Sequence, residues 1–231
     1  MTAVVVTCEH ASCAVPEGVS LGVAEAVLDT HHGWDPGAAT LALRLASARC
    51  APLLAGEVTR LVVDLNRLET NPQVIPERSF EVAVPGNVGL DPAERERRLT
   101  RYHRPYRAAA RRLVGDARRW GGRCLHLSTH SFVPELEGRV RHVEVGILFD
   151  PDRALEAEHA ERLIEGLRRL GWDARANQPY LGVADGLTTW LRGEFSEGYA
   201  GIEVEASQAL LETPARFDRL AGDLAGLLVD V

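Results

Sequence analysis

Ala3-Val4-Val5-Val6-Thr7, running directly into Cys8-Glu9-His10-Ala11-Ser12, is the stretch from which the chain is best read. Three valines and a threonine suit a pleated strand better than a helix, where β-branched side chains lose rotamer freedom. The polar Glu9-His10 pair then falls at the carboxyl end of that strand. In α/β proteins this edge is where ligands bind.

Further along, similar stretches alternate with helical ones. Strands are predicted at Ala3–Thr7, Thr59–Leu65, Cys124–Ser128, Val143–Phe149 and Gly201–Glu205. Helices are predicted at Pro36–Ala48, Pro92–Arg119, Ala154–Leu170 and Pro214–Leu228. That alternation is the pattern of an α/β sheet protein. Asp91-Pro92-Ala93-Glu94 has a cap, a first-turn proline and an early acid, and Thr213-Pro214 starts in the same way. Between Glu69 and Gly89 four Pro or Gly residues (Pro72, Pro76, Pro85, Gly86) interrupt any periodicity. An irregular stretch of that length is often functional, and it is expected to lie over the site. Residues 1–231 contain no repeat or linker, so one domain is expected.

Composition narrows the function. The net charge of −7 argues against a nucleic-acid surface. No apolar run could span a bilayer, and the start lacks the features of a secretory signal. All 26 basic residues are arginines. No lysine can therefore serve as base or Schiff-base former, and any side-chain cation that clamps a substrate anion is a guanidinium suited to carboxylates. The cysteines at 8, 13, 50 and 124 match no paired Cys-x-x-Cys zinc motif. Reduced thiols and a cytoplasmic location are expected.

The residues capable of chemistry gather at predicted strand ends. Glu9 and His10 follow the first strand. Asp35, in His31-His32-Gly33-Trp34-Asp35-Pro36-Gly37, either caps the next helix or serves as a ligand. Strand alternation places His126, Ser128 and His130 on one face, with His130 at the end and His126 deeper, where packing suits it. Asp64-Leu65-Asn66-Arg67 offers amide and guanidinium donors, with an internal Asp64–arginine pair as the simpler reading. Glu203 and Glu205 share a face inside an apolar strand, a costly place for carboxylates unless they are paired or functional. Two histidines, carboxylates to spare and an arginine are the parts of a catalytic zinc site with a general base. Cys8 and His10 could also compose a cysteine hydrolase, but nothing marks Cys8 as an activated thiolate.

These segments together resemble the N-formylglutamate amidohydrolase family. The likeness rests on Cys-Glu-His-Ala-Ser at 8–12, His-x-Gly-Trp-Asp-Pro-Gly-Ala, Arg-Leu-Val-Val-Asp-Leu-Asn-Arg, Pro-Gly-Asn-x-Gly-Leu at 85–90, Leu-His-Leu-Ser-Thr-His-Ser-Phe and Gly-Ile-Glu-Val-Glu. It runs in order from residue 8 to about 208. The resemblance implies a three-layer α/β/α fold with a central mixed sheet, akin to zinc carboxypeptidases. It also implies one Zn²⁺ per chain and hydrolysis of a small N-acyl or N-formyl amino acid, such as N-formylglutamate. Carried over by position, His10, Asp35 and His130 are the metal ligands, with Glu9 the alternative to Asp35. Asn66, Arg67 and Arg60 bind the substrate carboxylate. Glu205 is the base, chosen for its spacing to Gln208, with Glu203 its rival. Cys13 departs from the family pattern, where Asn is frequent. A peptidase or cell-wall amidase of the same fold, and a non-catalytic binding member, are the competing expectations.

Overall fold

The computed structural model describes residues 2–228. Six strands form the central sheet: β1 (Thr2–Cys8), β2 (Leu53–Ala55), β3 (Arg123–Phe132), β4 (Val145–Leu148), β5 (Ala174–Ala176) and β6 (Tyr199–Ser207). Their spatial order is β2-β1-β3-β6-β4-β5. The first four are mutually parallel, β4 runs antiparallel to β6, and β5 is parallel to β4. The sheet is therefore mixed, as expected.

Helices cover both faces. On one side lie α1 (Ala38–Arg49), α4 (Ala154–Arg169) and α6 (Pro214–Leu227). Their buried residues, including Leu41, Leu45, Leu163, Leu220 and Leu224, pack on Val4 and Val6 of β1, Leu125 and Leu127 of β3, and Ile202 and Val204 of β6. The opposite face carries α3 (Arg104–Gly121) and α5 (Leu187–Glu194). A second apolar cluster there joins Val5, Cys124 and Tyr199 to Ala110, Val114, Leu187 and Leu191. Fully burying one such leucine contributes about 1.5–3 kcal/mol.

Both central strands are buried on both faces, but the faces differ in chemistry. With period two, Leu125 and Leu127 point to the α1 side, while Cys124, His126, Ser128 and His130 point to the α3 side. In β6 the same alternation sends Ile202 and Val204 to the first side and Glu203 and Glu205 to the second. The second face thus starts apolar and turns polar towards the carboxyl ends of the strands.

Two expectations require correction. Thr59–Leu65 is not a strand. It is turn and coil, with Thr59 N–H bonded to Ala14 O, Arg60 N–H to Gly33 O and Asp64 N–H to Val74 O. Leu61, Val62 and Val63 are all buried in the second cluster, whereas a half-covered strand would alternate. Pro92–Arg119 is divided into α2 (Pro92–Arg98), a π turn (Leu99–His103) and α3. Pro105 has no N–H for the i→i−4 ladder, and a π turn takes up the mismatch. The start is as expected: Asp91 Oδ1 accepts from Ala93 N–H at 2.7 Å. The Glu69–Gly89 stretch contains two 3₁₀ turns, Pro72–Val74 and Pro85–Asn87, and a two-rung hairpin, Arg78–Ser79 with Val82–Ala83. The hairpin rests on the turn leading into Asp35, with His32 Nδ1 3.2 Å from Ser79 O.

Candidate metal centre

The ends of three adjacent parallel strands, β1, β3 and β6, meet at one place. Register puts Glu205 opposite His130 and Glu203 opposite Ser128. His10 follows β1 two residues past its end. Asp35 is brought in by its own backbone, because its N–H donates to His10 O at 2.9 Å.

His10, Asp35 and His130 are all buried, and among the described residues they are the one His/Cys/Asp/Glu group placed to hold a metal. Asp35 Oδ2 lies 3.3 Å from His10 Nδ1 and 2.9 Å from His130 Nδ1. Tetrahedral zinc with bonds of about 2.0–2.1 Å separates its ligands by about 3.3 Å, so the spacing fits. Asp35 does not act as a side-chain cap: α1 starts at Ala38 behind Gly37, with no side-chain cap bond. Its other oxygen accepts from the Arg60 guanidinium.

Each imidazole is backed by a carboxylate. His10 Nε2–H donates to Asp64 Oδ1 at 2.7 Å, and His130 Nε2–H donates to Glu9 Oε2 at 3.0 Å. This carboxylate–histidine arrangement fixes the tautomer and turns Nδ1 inward, as metal-binding histidines require. Glu9 also accepts from the Ser128 hydroxyl and, at 3.0 Å, from Tyr106 OH. It therefore stands behind His130, outside the His10–Asp35–His130 group.

The electrostatics point the same way. Burial, with Arg60 close by, holds His10 down at about 4. The neutral ring donates to Asp64 and so directs its Nδ1 lone pair at a carboxylate oxygen, an arrangement that calls for a cation between them. Burial disfavours a charged His130, but the Glu9 hydrogen bond and charge outweigh it and push the imidazole up to about 10. Asp64 is held well below the usual carboxylate range: burial opposes its charge, and His10 and Arg60 overcome it.

Glu205 is 5 % exposed, and its Oε2 has no hydrogen-bond partner among the described residues. Burial pushes its carboxyl up to about 7. Glu203, by contrast, accepts from Thr188 Oγ1 on α5 at 2.7 Å. Asn66 Oδ1 accepts from Leu187 N–H at the start of α5 at 2.7 Å. The Arg67 guanidinium, 42 % exposed, reaches Asp185 O at 3.1 Å. Arg60 Nε is buried without a hydrogen-bond partner among the described residues.

Other sequence candidates fall outside the cluster. His126 is fully buried between Thr7 Oγ1 and Tyr199 OH, at 2.8 Å from each. Cys8 is buried, and burial pushes its thiol up to about 11, the reverse of an activated nucleophile. The sequence reading did not anticipate the role of Asp64 behind His10, Tyr106 behind Glu9, or Asp185, which accepts from Leu68 N–H and Asn71 Nδ2. Asp64 stood out only as a partner for arginine, and Arg67 Nε is indeed 4.0 Å away. Tyr106 and Asp185 carry no local signal.

The fold and the cluster define an α/β protein of the hydrolase kind, with a buried His–Asp–His group that could hold a metal. The chain belongs to the N-formylglutamate amidohydrolase family, which it matches over residues 2–212. A gene product of Agrobacterium tumefaciens, known from its crystal structure, is 33% identical with a TM-score of 0.86, over 98% of this chain and 88% of that one. An N-formylglutamate amidohydrolase from Ralstonia eutropha superposes with a TM-score of 0.77 over 98% of this chain and 92% of that one. Its identity is 22%, so this second likeness is one of fold. No curated protein sequence matches the chain. Among the described residues, no helix is long and apolar enough to cross a membrane.

Proposed function

We propose that the protein hydrolyses a small N-acyl amino acid, such as N-formylglutamate, to the free amino acid and formate, with one Zn²⁺ held by His10 Nδ1, Asp35 Oδ2 and His130 Nδ1. The observation that carries this reading is Glu205 Oε2, without a hydrogen-bond partner among the described residues, one strand across from His130 and beside a cluster with ligand spacing. Zinc, when bound, supplies a Lewis acid for the acyl carbonyl and for water.

The chain's own residues perform the remaining steps. Glu205 takes the proton of the attacking water on Oε2 and returns it to the leaving amine. A nearby cation lowers its pKa from about 7 and keeps it ionised at neutral pH. Glu203 is the weaker candidate for base, because one of its oxygens is engaged by Thr188. Its negative charge next to Glu205 helps to keep Glu205 basic. Arg67 and the Asn66 amide nitrogen orient the substrate carboxylate, and Arg60 reaches it through the open Nε. Asp64 and Glu9 position the two imidazoles.

A hydrolysis screen of N-formyl and N-acetyl amino acids, with and without a chelator, tests this reading. Chelator-sensitive release of formate from N-formyl substrates is expected. Cleavage of peptides alone would replace the reading with a peptidase, and ligand binding without turnover would replace it with a binding protein.

A further inference from the structure

A cleft of about 650 Å³ lies between α3 and α5, and none of its lining residues belongs to the His10–Asp35–His130 group. Three arginines and two glutamates face it. Arg104 pairs with Glu69 and Arg111 with Glu194, which leaves Arg107 as the cation of the wall without a carboxylate. Arg107 is only 4 % exposed. Its Nη2 donates to Arg67 O at 2.6 Å, and the guanidinium carbon lies 5.2 Å from the centre of the Trp190 ring. Nε and Nη1 have no hydrogen-bond partner among the described residues. A buried guanidinium with open donors is costly unless something accepts from them.

His103, one turn earlier, supplies the complement. Its Nε2–H donates to the same Arg67 carbonyl at 2.8 Å. The remaining nitrogen, Nδ1, is buried without a hydrogen-bond partner among the described residues and is an acceptor in the neutral ring. The π turn at Leu99–His103 and the start of α3 set both side chains against one wall. One edge of the cleft thus offers charged donors and a neutral acceptor, with Trp190 and Ala108 adding apolar surface.

We propose that this cleft is a second binding site, for a small carboxylate carrying an α-hydroxyl or α-amino group. The carboxylate bonds to Arg107, which favours oxyanions through charge-assisted hydrogen bonds. The adjacent donor bonds to His103 Nδ1. The cleft has room for a small organic acid and for a longer substituent on it. Arg107 and His103 also hold the Arg67 carbonyl, so the occupant sits one hydrogen bond from the loop that carries Asp64 and Asn66. The site does not depend on the hydrolytic reading of the metal centre.

Calorimetric titration of the full chain with glycolate tests it, with acetate as the probe that lacks the hydroxyl. Saturable binding of one glycolate at this cleft is expected, with acetate several-fold weaker. Arg107→Gln removes the cation, and Ala108→Phe fills the cleft from an exposed position without touching the Arg67 carbonyl. Each is expected to weaken binding about tenfold or more. Arg67→Gln, which alters the active-centre side only, is expected to retain it. Absence of saturable binding, unchanged binding in both cleft variants, or a loss confined to Arg67→Gln would overturn the assignment; the last would place glycolate at the active centre.

Discussion

Replacing Asp64 by Asn probes the support of the proposed metal site without removing a proposed ligand. Asp64 Oδ1 accepts from His10 Nε2 at 2.7 Å and from Asn66 N–H at 2.9 Å. Both partners are donors, so the substituted amide is held with its oxygen in the same place and the local fold survives. What is lost is the charge. A hydrogen bond to an ionised acceptor is worth roughly twice a neutral one, a difference of about 1–1.5 kcal/mol. That corresponds to about a tenfold loss of zinc affinity, at the mild end of the 10–100-fold range for partners behind metal ligands. Proton competition at His10 does not enter, because this ring is held down at about 4 and is neutral at pH 7.5. The assay is zinc competition against a chromophoric chelator at pH 7.5, together with the melting temperature of the metal-free protein. Zinc held within twofold of wild type, with the melting temperature unchanged, would refute the role given to Asp64.

Glu205→Gln is expected to keep its zinc and lose about 10²–10⁴-fold in kcat, while Glu203→Gln loses much less; the reverse order would exchange the two roles. His130 titrates from an ordinary value near 6.5 to about 10 in the metal-free fold. The folded state therefore binds the extra proton, and metal-free stability should fall by up to about 1.4 kcal/mol per pH unit as pH rises from 7.5 to 9. Denaturant titrations across that range measure this slope, and a flat profile contradicts it. Zinc must displace the same proton, so calorimetry in buffers of different ionisation enthalpy should show release of about one proton per zinc at pH 7.5. Away from the metal-site cluster, Arg192 of α5 meets Glu156 of α4 through Nε and Nη2, with both residues buried. Glu156→Ala, which strands the guanidinium, is expected to lose about 3–5 kcal/mol in chemical denaturation.

The alternation of valine-rich and helical segments was enough to read the α/β layers, because β1, β3 and β6 are long and bounded by clear turn residues. Strands β2 and β5 have three residues each, too few for any periodicity. Leu61-Val62-Val63 reads as a strand in the sequence because a run of buried apolar residues is the same in composition whether strand or coil encloses it. Here Val62 N–H donates to Thr59 O, Leu61 O accepts from Asn87 Nδ2 and Val62 O from Arg98 Nη1, in place of a neighbouring strand. The residues that meet as the His10–Asp35–His130 group are legible in the sequence because histidines and acids at strand ends are chemically unusual. Residues that act from behind, such as Tyr106 on α3 and Asp185 before α5, depend on tertiary approach across 97 and 117 positions respectively, which no local pattern encodes.

Crystals soaked with zinc and measured across its absorption edge give the most direct test of the proposed centre. A single anomalous peak within about 2.0–2.2 Å of His10 Nδ1, Asp35 Oδ2 and His130 Nδ1 is expected. A peak at other residues, or none at saturating zinc, would contradict the metal centre and the hydrolysis built on it.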